Sequence, residues 1–318
     1  MKFLLKNLIK FRKPKFWDLT KPNLISYLLI PFSVPIILRN FIFNFLKKEK
    51  TPRIKTICIG NIYLGGTGKT PLALKIYDIL NELNYKVATV KKDYSSQRDE
   101  QLLLSQKTAL IISKTRFGAI HKGLKQNLDF LIFDDGLQEM RIEFDIKLVC
   151  FKSKNWIGNG QLIPAGPMRE KISSLKRFDA IFLNGYSDNL EEIENQILNI
   201  NSNIKIFRTS YKISNIEKYN LNQRYLIFSG IGIPSDFKEI LLENKFDIVE
   251  EIIFPDHYEY SHNDFEKIII NAKNKKIKIL TTEKDYMKIP EKFKKEINFL
   301  SIDVIIQNEK ELVELIKK

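Results

Sequence analysis

The 318-residue sequence predicts an α/β protein: a parallel-sheet domain over residues 51–210, a smaller α/β domain over 211–318, and a basic, apolar helical segment over 1–50. Three observations predict this. A short apolar strand at residues 57–60 leads through a glycine-rich turn into a helix from Pro71. Apolar runs then alternate with helical stretches, the pattern of parallel strands joined by helical crossovers. The charge is lopsided. The net charge is +14, and residues 1–53 carry twelve Lys and Arg against two acids, leaving the rest near neutral.

That lopsidedness argues against nucleic acid as a partner, because the excess belongs to one end and not to the folded body. Residues 1–22 are basic with interleaved aromatics. Residues 24–38 are uncharged and interrupted by Pro31 and Pro35. Fifteen residues fall short of the roughly twenty that a spanning helix needs. No small-residue cleavage site follows, so a cleaved leader is not expected. A helix or helical hairpin in the membrane interface fits best, with Lys and Arg at anionic headgroups and Phe, Trp, Leu and Ile at the acyl boundary. A core helix with a solvated basic face is the alternative. The only cysteines, Cys58 and Cys150, sit in strand-like runs and are expected as buried thiols in a reducing compartment.

The turn before Pro71 is Tyr63-Leu64-Gly65-Gly66-Thr67-Gly68-Lys69-Thr70. Its glycines free the backbone N–H groups to wrap an anion, Lys69 supplies a positive charge, Thr70 offers a hydroxyl to a metal, and the helix directs its positive end to the same place. This is a P-loop, so the domain is expected to be P-loop NTPase-like. Tyr63 stands where the usual spacing asks for glycine. A ligand-free turn is the bland alternative.

A second strand over 86–90 completes a βαβ unit. The polar stretch after it holds Asp99 and Glu100, at the carboxyl end of a strand, where open α/β sheets bind ligands; a helix N-terminal pair explains them equally well. A strand at 109–113, a helix at 115–124 and a strand at 128–134 follow, the last ending in Asp134 and Asp135. Beside a P-loop, one of these acids can hold Mg²⁺; a polar turn is the alternative. After a strand at 146–151, residues 159–170 are too rich in Gly and Pro for a helix or strand. There Arg169 can reach a phosphate and Glu170 can fix that arginine. A strand at 180–184, a helix at 190–200 and a strand at 204–211 close the domain.

The second domain is read as strands at 225–229, 246–253, 278–282 and 299–304, with helices from 235, between 253 and 278, and over 309–317. Histidine is scarce: His121, His257 and His262. His257 follows a strand and is preceded by Asp256; a lone loop histidine is more often structural than catalytic.

Over nearly its whole length the sequence resembles the tetraacyldisaccharide 4′-kinases, the lipid A kinases of Gram-negative bacteria. The resemblance is carried by Gly60-Asn61, Gly65–Pro71 with its glycine-less position 63, Asp134-Asp-Gly-Leu-Gln138, residues 159–170, Gly230-Ile-Gly-Ile-Pro234, Asp256-His257 and Thr282-Glu-Lys-Asp285. It implies transfer of the ATP γ-phosphate to the 4′-hydroxyl of a tetraacylated glucosamine disaccharide 1-phosphate, with Mg²⁺, at the cytoplasmic face of the inner membrane and with no protein partner. It implies a catalytic pair, Asp99 and His257, brought together from the two domains by closure over the nucleotide. Lys69 would meet the β- and γ-phosphates, Thr70 would ligate Mg²⁺ with Asp134 or Asp135, and Arg169 with Glu170 would help bind phosphate. The chain departs from the family's pattern at Lys91-Lys-Asp93, where Ser-Arg-Gly is usual, at Arg98 and Gln101, which flank the acid pair, and at Glu139, where His is usual. A P-loop ATPase acting as a switch or metallochaperone, and a non-catalytic lipid-binding homologue, are the competing readings.

Overall fold

A computed structural model describes residues 13–46, 48–50, 53–93, 98–137 and 141–318. The expectations resting on residues 1–12, 94–97, Gln138 and Glu139 lie outside these, as does the side chain of Arg98. The chain falls into two compact units. One holds the residues up to Lys69 with Phe133–Thr209 and Ile306–Lys318; the other holds Thr70–Ile132 and Ser210–Ile305.

In the first unit the P-loop strand, Lys55–Gly60, lies parallel to Ile146–Lys152, with Ile57 beside Ile146 and Gly60 beside Val149. Next come Ala180–Asn184 and Lys205–Ile213, also parallel. The central strands are apolar on both faces and buried on both, as helix-covered parallel sheets require. The acidic strand, Phe130–Asp134, brings its end to this unit: the N–H groups of Asp135 and Gly136 donate to the Ile59 carbonyl at 2.9 and 3.3 Å.

The N-terminal segment belongs to the same unit. It runs as helix Leu24–Leu29, a 3₁₀ turn Ile30–Ser33 and helix Val34–Phe45, with no hairpin reversal. Pro31 and Pro35 each open a new helical stretch, where a missing N–H costs nothing. By length and composition, Leu24–Phe43 is long and apolar enough to cross a membrane. Its polarity is inverted. Ser26, Ser33 and Asn40, seven residues apart and so on one face, all bond to the 159–170 loop. Asn159 Nδ2 donates to Ser26 Oγ at 2.9 Å, Ser33 Oγ to the Leu162 carbonyl at 3.1 Å, and Asn40 Nδ2 to the Arg169 carbonyl at 3.0 Å. The apolar side chains point away: Leu24 is 75% exposed, Phe32 68% and Phe45 74%.

In the second unit Val87–Lys92 pairs with Leu110–Ser113, and helices Arg98–Lys107 and Arg116–Lys125 accompany them. A four-stranded parallel sheet has the order Asp247–Ile253, Arg224–Ser229, Lys278–Thr282, Ile297–Leu300. Successive side chains of a strand face opposite ways. Leu226 and Phe228 therefore pack with helix His262–Lys275 through Phe265 and Ile268, while Tyr225 and Ile227 pack with helix Pro234–Glu243 through Phe237 and Leu241. The single strand expected over 299–304 is two strands, Ile297–Leu300 and Ile302–Ile306. They break at Ser301, whose N–H donates to Asn215 Oδ1 and whose carbonyl accepts from Ser214, both at 3.0 Å.

Candidate active site

The P-loop of the first unit is shaped by glycine where glycine is needed. Gly65 and Gly68 have φ of +141° and +89°, values that a side chain would strain. Lys69 is the first residue of helix Lys69–Glu82, so the charge and the helix N-terminus coincide. Inside the loop, Asn61 Nδ2 donates to the Gly65 carbonyl at 3.0 Å. Asn61 Oδ1 and Thr67 Oγ1 are buried and have no hydrogen-bond partner among the described residues. Buried polar atoms are seldom left so; the Thr67 hydroxyl can donate to a phosphate oxygen, and Asn61 Oδ1 can accept from a phosphate-bound water.

Tyr63, at the position without glycine, is buried and points away from the cradle. Its hydroxyl donates to Asp18 Oδ1 at 2.9 Å and accepts from Lys13 Nζ. Burial, and then the Asp18 carboxylate, push that hydroxyl far above the usual phenol range. The backbone here is braced by the Gly/Pro loop: Leu64 N–H donates to the Pro167 carbonyl at 2.8 Å, and Arg169 N–H to the Ile62 carbonyl at 2.7 Å.

Asp134 ends its strand and is buried; Asp135 follows with φ of +64°. Cys150 reports on what surrounds Asp134. Burial pushes its thiol up to about 12, Lys69 opposing and Asp134 adding to the shift. Arg169 Nη1 lies 3.9 Å from Asp135 Oδ1. Glu170 does not fix Arg169 as expected; Arg177 Nη2 donates to it at 2.6 Å. Arg169 is instead placed by its own main chain, bonded at N–H by Ile62 and at C=O by Asn40. Among the described residues no three His, Cys, Asp or Glu side chains converge as a metal cage. Asp134 and Asp135 are of the donor type that Mg²⁺ takes one or two of, beside phosphate and water.

The second constellation lies wholly in the second unit. Asp99, in the first turn of helix Arg98–Lys107, faces His257: Nδ1 is 2.9 Å from Oδ1 and 3.0 Å from Oδ2. The two residues, expected on different domains and joined by closure, are in one unit and already paired. The reason is the short helix Glu283–Tyr286, whose Glu283 pairs with Lys107 at 2.7 Å and whose Lys284 lies 3.5 Å from Asp99 Oδ2.

Burial works against the charge of Asp99, but the hydrogen bond from His257 and the Lys284 and Lys288 ammoniums outweigh it and hold the carboxyl well below the usual range. An ionised carboxylate only accepts. His257 Nδ1 is therefore the N–H donor, and Nε2 of the neutral ring carries the lone pair that can take a proton. His257 sits in a left-handed conformation, φ +55°. Its N–H donates to the Gly230 carbonyl at 3.2 Å and to Asp256 Oδ1 at 3.0 Å.

Glu100 turns to Lys91, whose buried ammonium lies 2.5 Å from Oε2. Burial raises the Glu100 carboxyl, yet Lys91 and Lys284 bring it down to about 2. The departure at Lys91 is thus an internal counter-ion. Lys91, Lys284, Lys288 and buried Asp285 are the residues that motif reading did not assign to the site. The sequence signal for Lys284 and Asp285 is the Thr282-Glu-Lys-Asp285 segment that carries part of the resemblance.

The family model described as tetraacyldisaccharide-1-P 4′-kinase matches residues 25–318. The tetraacyldisaccharide 4′-kinase of Pelagibacter ubique is 45% identical over 306 residues, 96% of each chain. That of Rickettsia bellii is 33% identical over 299 residues, 89% of this chain and 91% of its own. The crystal structure of the "apo" form of LpxK from Aquifex aeolicus in complex with ATP superposes with a TM-score of 0.70 at 24% identity, covering 92% of this chain and 99% of that one.

Proposed function

The chain belongs to the tetraacyldisaccharide 4′-kinase family and is an ATP-dependent kinase of lipid A synthesis; within that activity we propose the roles of the individual residues, the metal and the membrane. The switch and metallochaperone reading falls away with the family assignment.

Asp99 and His257 form the acid–base pair. His257 Nε2 accepts the proton of the 4′-hydroxyl as its oxygen attacks the γ-phosphorus and the β–γ bridging oxygen departs with ADP, and Asp99 holds the ring in the required tautomer and stabilises the imidazolium that forms. The observation that carries this is the 2.9 Å contact between Nδ1 and a carboxylate held ionised. Phosphoryl transfer needs positioning and charge stabilisation more than covalent chemistry. The backbone of Tyr63, Leu64, Gly65, Gly66, Thr67 and Gly68, with Lys69, takes the phosphates, and Arg169 adds a second cation. Thr70 with Asp134 or Asp135 would hold Mg²⁺, which would neutralise charge developing on the phosphates. Glu170 serves by holding Arg177 near this loop.

The inverted polarity of Leu24–Phe45 supports a place at the cytoplasmic surface of the inner membrane. Its apolar face meets the acyl boundary, and its Ser26, Ser33 and Asn40 stripe holds the body. A lipid substrate makes such an anchor useful.

The test is turnover of ATP and a tetraacyldisaccharide 1-phosphate in detergent. Asp99→Asn and His257→Ala should each lower kcat roughly 10²- to 10⁴-fold, with the KM for ATP little changed. Unchanged turnover in either would remove that residue from the pair.

A further inference from the structure

We propose that Lys284 is a positioning residue for the phosphoryl transfer, one ammonium tying the segment that carries Asp99 to the loop that carries His257. The proposal rests on the reading of Asp99 and His257 as the acid–base pair. The Lys284 side chain is 18% exposed. Its Nζ lies 3.5 Å from each of three carboxylates: Asp99 Oδ2, Glu100 Oε1 and Asp256 Oδ1. Two of these open helix Arg98–Lys107, and the third is the residue before His257.

The geometry needs such a tie. Four carboxylates gather here, buried Asp99 and Asp285, half-buried Glu100 and exposed Asp256, and like charges repel most where water is excluded. The His257 loop is also held in a left-handed turn, which strains a residue with a side chain. A loop of that kind keeps its shape only where its neighbours impose it. Lys284 answers both needs, because it neutralises the acids and pulls Asp256 towards Asp99.

Its own base is rigid. Thr282 Oγ caps the short helix by accepting from Asp285 N–H at 3.1 Å. Asp285, fully buried, accepts from Gly230 N–H at 2.8 Å, Tyr260 hydroxyl at 3.0 Å and Lys288 at 2.7 Å. Gly230 in turn accepts from His257 N–H. The Thr282–Asp285 motif thereby fixes the imidazole through its main chain and the carboxylate through Lys284. Desolvation disfavours the Lys284 charge, but Glu100, Asp256, Asp99 and Asp285 outweigh it and raise its pKa, so it stays an ammonium.

The experiment is steady-state kinetics on the full chain with ATP and tetraacyldisaccharide 1-phosphate in detergent. The variants are Lys284→Met, Lys284→Arg, Asp99→Asn and the Lys284→Met/Asp99→Asn double variant, with melting followed by circular dichroism. Lys284→Met should lower kcat about 10- to 100-fold, the range typical of a residue supporting a functional group, and leave the KM for ATP within about twofold. Lys284→Arg should restore most of the loss. The double variant should be no slower than Asp99→Asn alone, because once Asp99 is neutral the ammonium, though still facing Glu100 and Asp256, no longer has the catalytic carboxylate to place; a merely structural lysine would give additive losses. Additive losses, or normal turnover in Lys284→Met while Asp99→Asn is impaired, overturn the proposal. Normal turnover in Asp99→Asn itself overturns the acid–base reading instead. If Lys284→Met melts before it can be assayed, Lys284→Arg decides: it must keep at least about a third of kcat, and a loss as deep as that of Asp99→Asn would count against the proposal.

Discussion

The P-loop and the Asp99–His257 cluster are built on opposite electrostatic plans. The P-loop leaves its work to a ligand: Thr67 Oγ1 and Asn61 Oδ1 are buried and unmatched among the described residues, and Lys69 takes part in none of the ion pairs found there. The cluster is closed upon itself. Asp99, Glu100, Asp256 and Asp285 are answered by Lys91, Lys284 and Lys288 at 2.5–3.7 Å. A substitution in the P-loop should therefore damage function and spare stability, whereas one in the cluster should damage both.

The largest effect expected from that difference is at Lys69. Lys69→Ala removes the fixed cation for the transferring phosphate, and kcat/KM should fall about 10³-fold, as when one preorganised charge-stabilising group is lost. The melting temperature without nucleotide should stay within a few degrees of the parent. A large drop in melting temperature would break the comparison, because it would mean the P-loop lysine is also a structural member of its unit.

The same difference explains what the sequence reveals. The P-loop is one contiguous stretch, so Gly65 to Thr70 announces it, and Asp134 and Asp135 are legible as the end of an apolar strand. The cluster is assembled from segments near residues 91, 99, 230, 257 and 284, and no spacing rule joins them. Asp99 at a strand's carboxyl end and His257 in its loop are each legible as candidates, but only the resemblance pairs them, and Lys91 is legible only as a departure from the family's pattern. The placement of Glu170 was misread for a related reason. Adjacent residues of an extended loop point to opposite sides, so Arg169 faces Asp135 and its neighbour meets Arg177. The strand over 299–304 looked continuous because every residue but Ser301 and Asp303 is apolar, and the break depends on the side chain of Asn215, remote in sequence.

The N-terminal helices sharpen the comparison from a third side. Their apolar face is exposed and their polar stripe is satisfied by the 159–170 loop, so substitutions on the outer face should alter lipid binding alone. Phe32→Asp with Phe41→Asp should weaken binding to vesicles containing anionic lipid about 100-fold or more, since each phenylalanine buried contributes roughly 1.5–3 kcal/mol. Turnover of a short-chain substrate in detergent should remain. Undiminished vesicle sedimentation by the double variant would remove this face from the membrane.

The smallest effect separates charge balance from simple packing in the closed cluster. Lys91 is buried beside Glu100, whose carboxyl stands at about 2 in the folded chain against an ordinary 4.5. A depressed carboxyl contributes stability that is complete above its unfolded pKa and is lost as the pH falls through its folded value. The contribution of the Lys91–Glu100 pair is thus fully present at neutral pH and fades from about 4.5 towards 2. Lys91→Met keeps the apolar stem and removes the charge, leaving Glu100 buried with Lys284 as its remaining neighbour. At pH 7 the variant should melt several degrees lower, reflecting a loss of about 1–3 kcal/mol from a buried group deprived of its partner. Acidification protonates Glu100 in the variant before the parent, so the gap to the parent should hold near neutral pH and narrow as the pH falls from about 4.5 towards 2, the window of the Glu100 shift. A gap that stays constant over that range would mean that Lys91 acts through its bulk, and the cluster would then be held by packing and not by the balance of its charges.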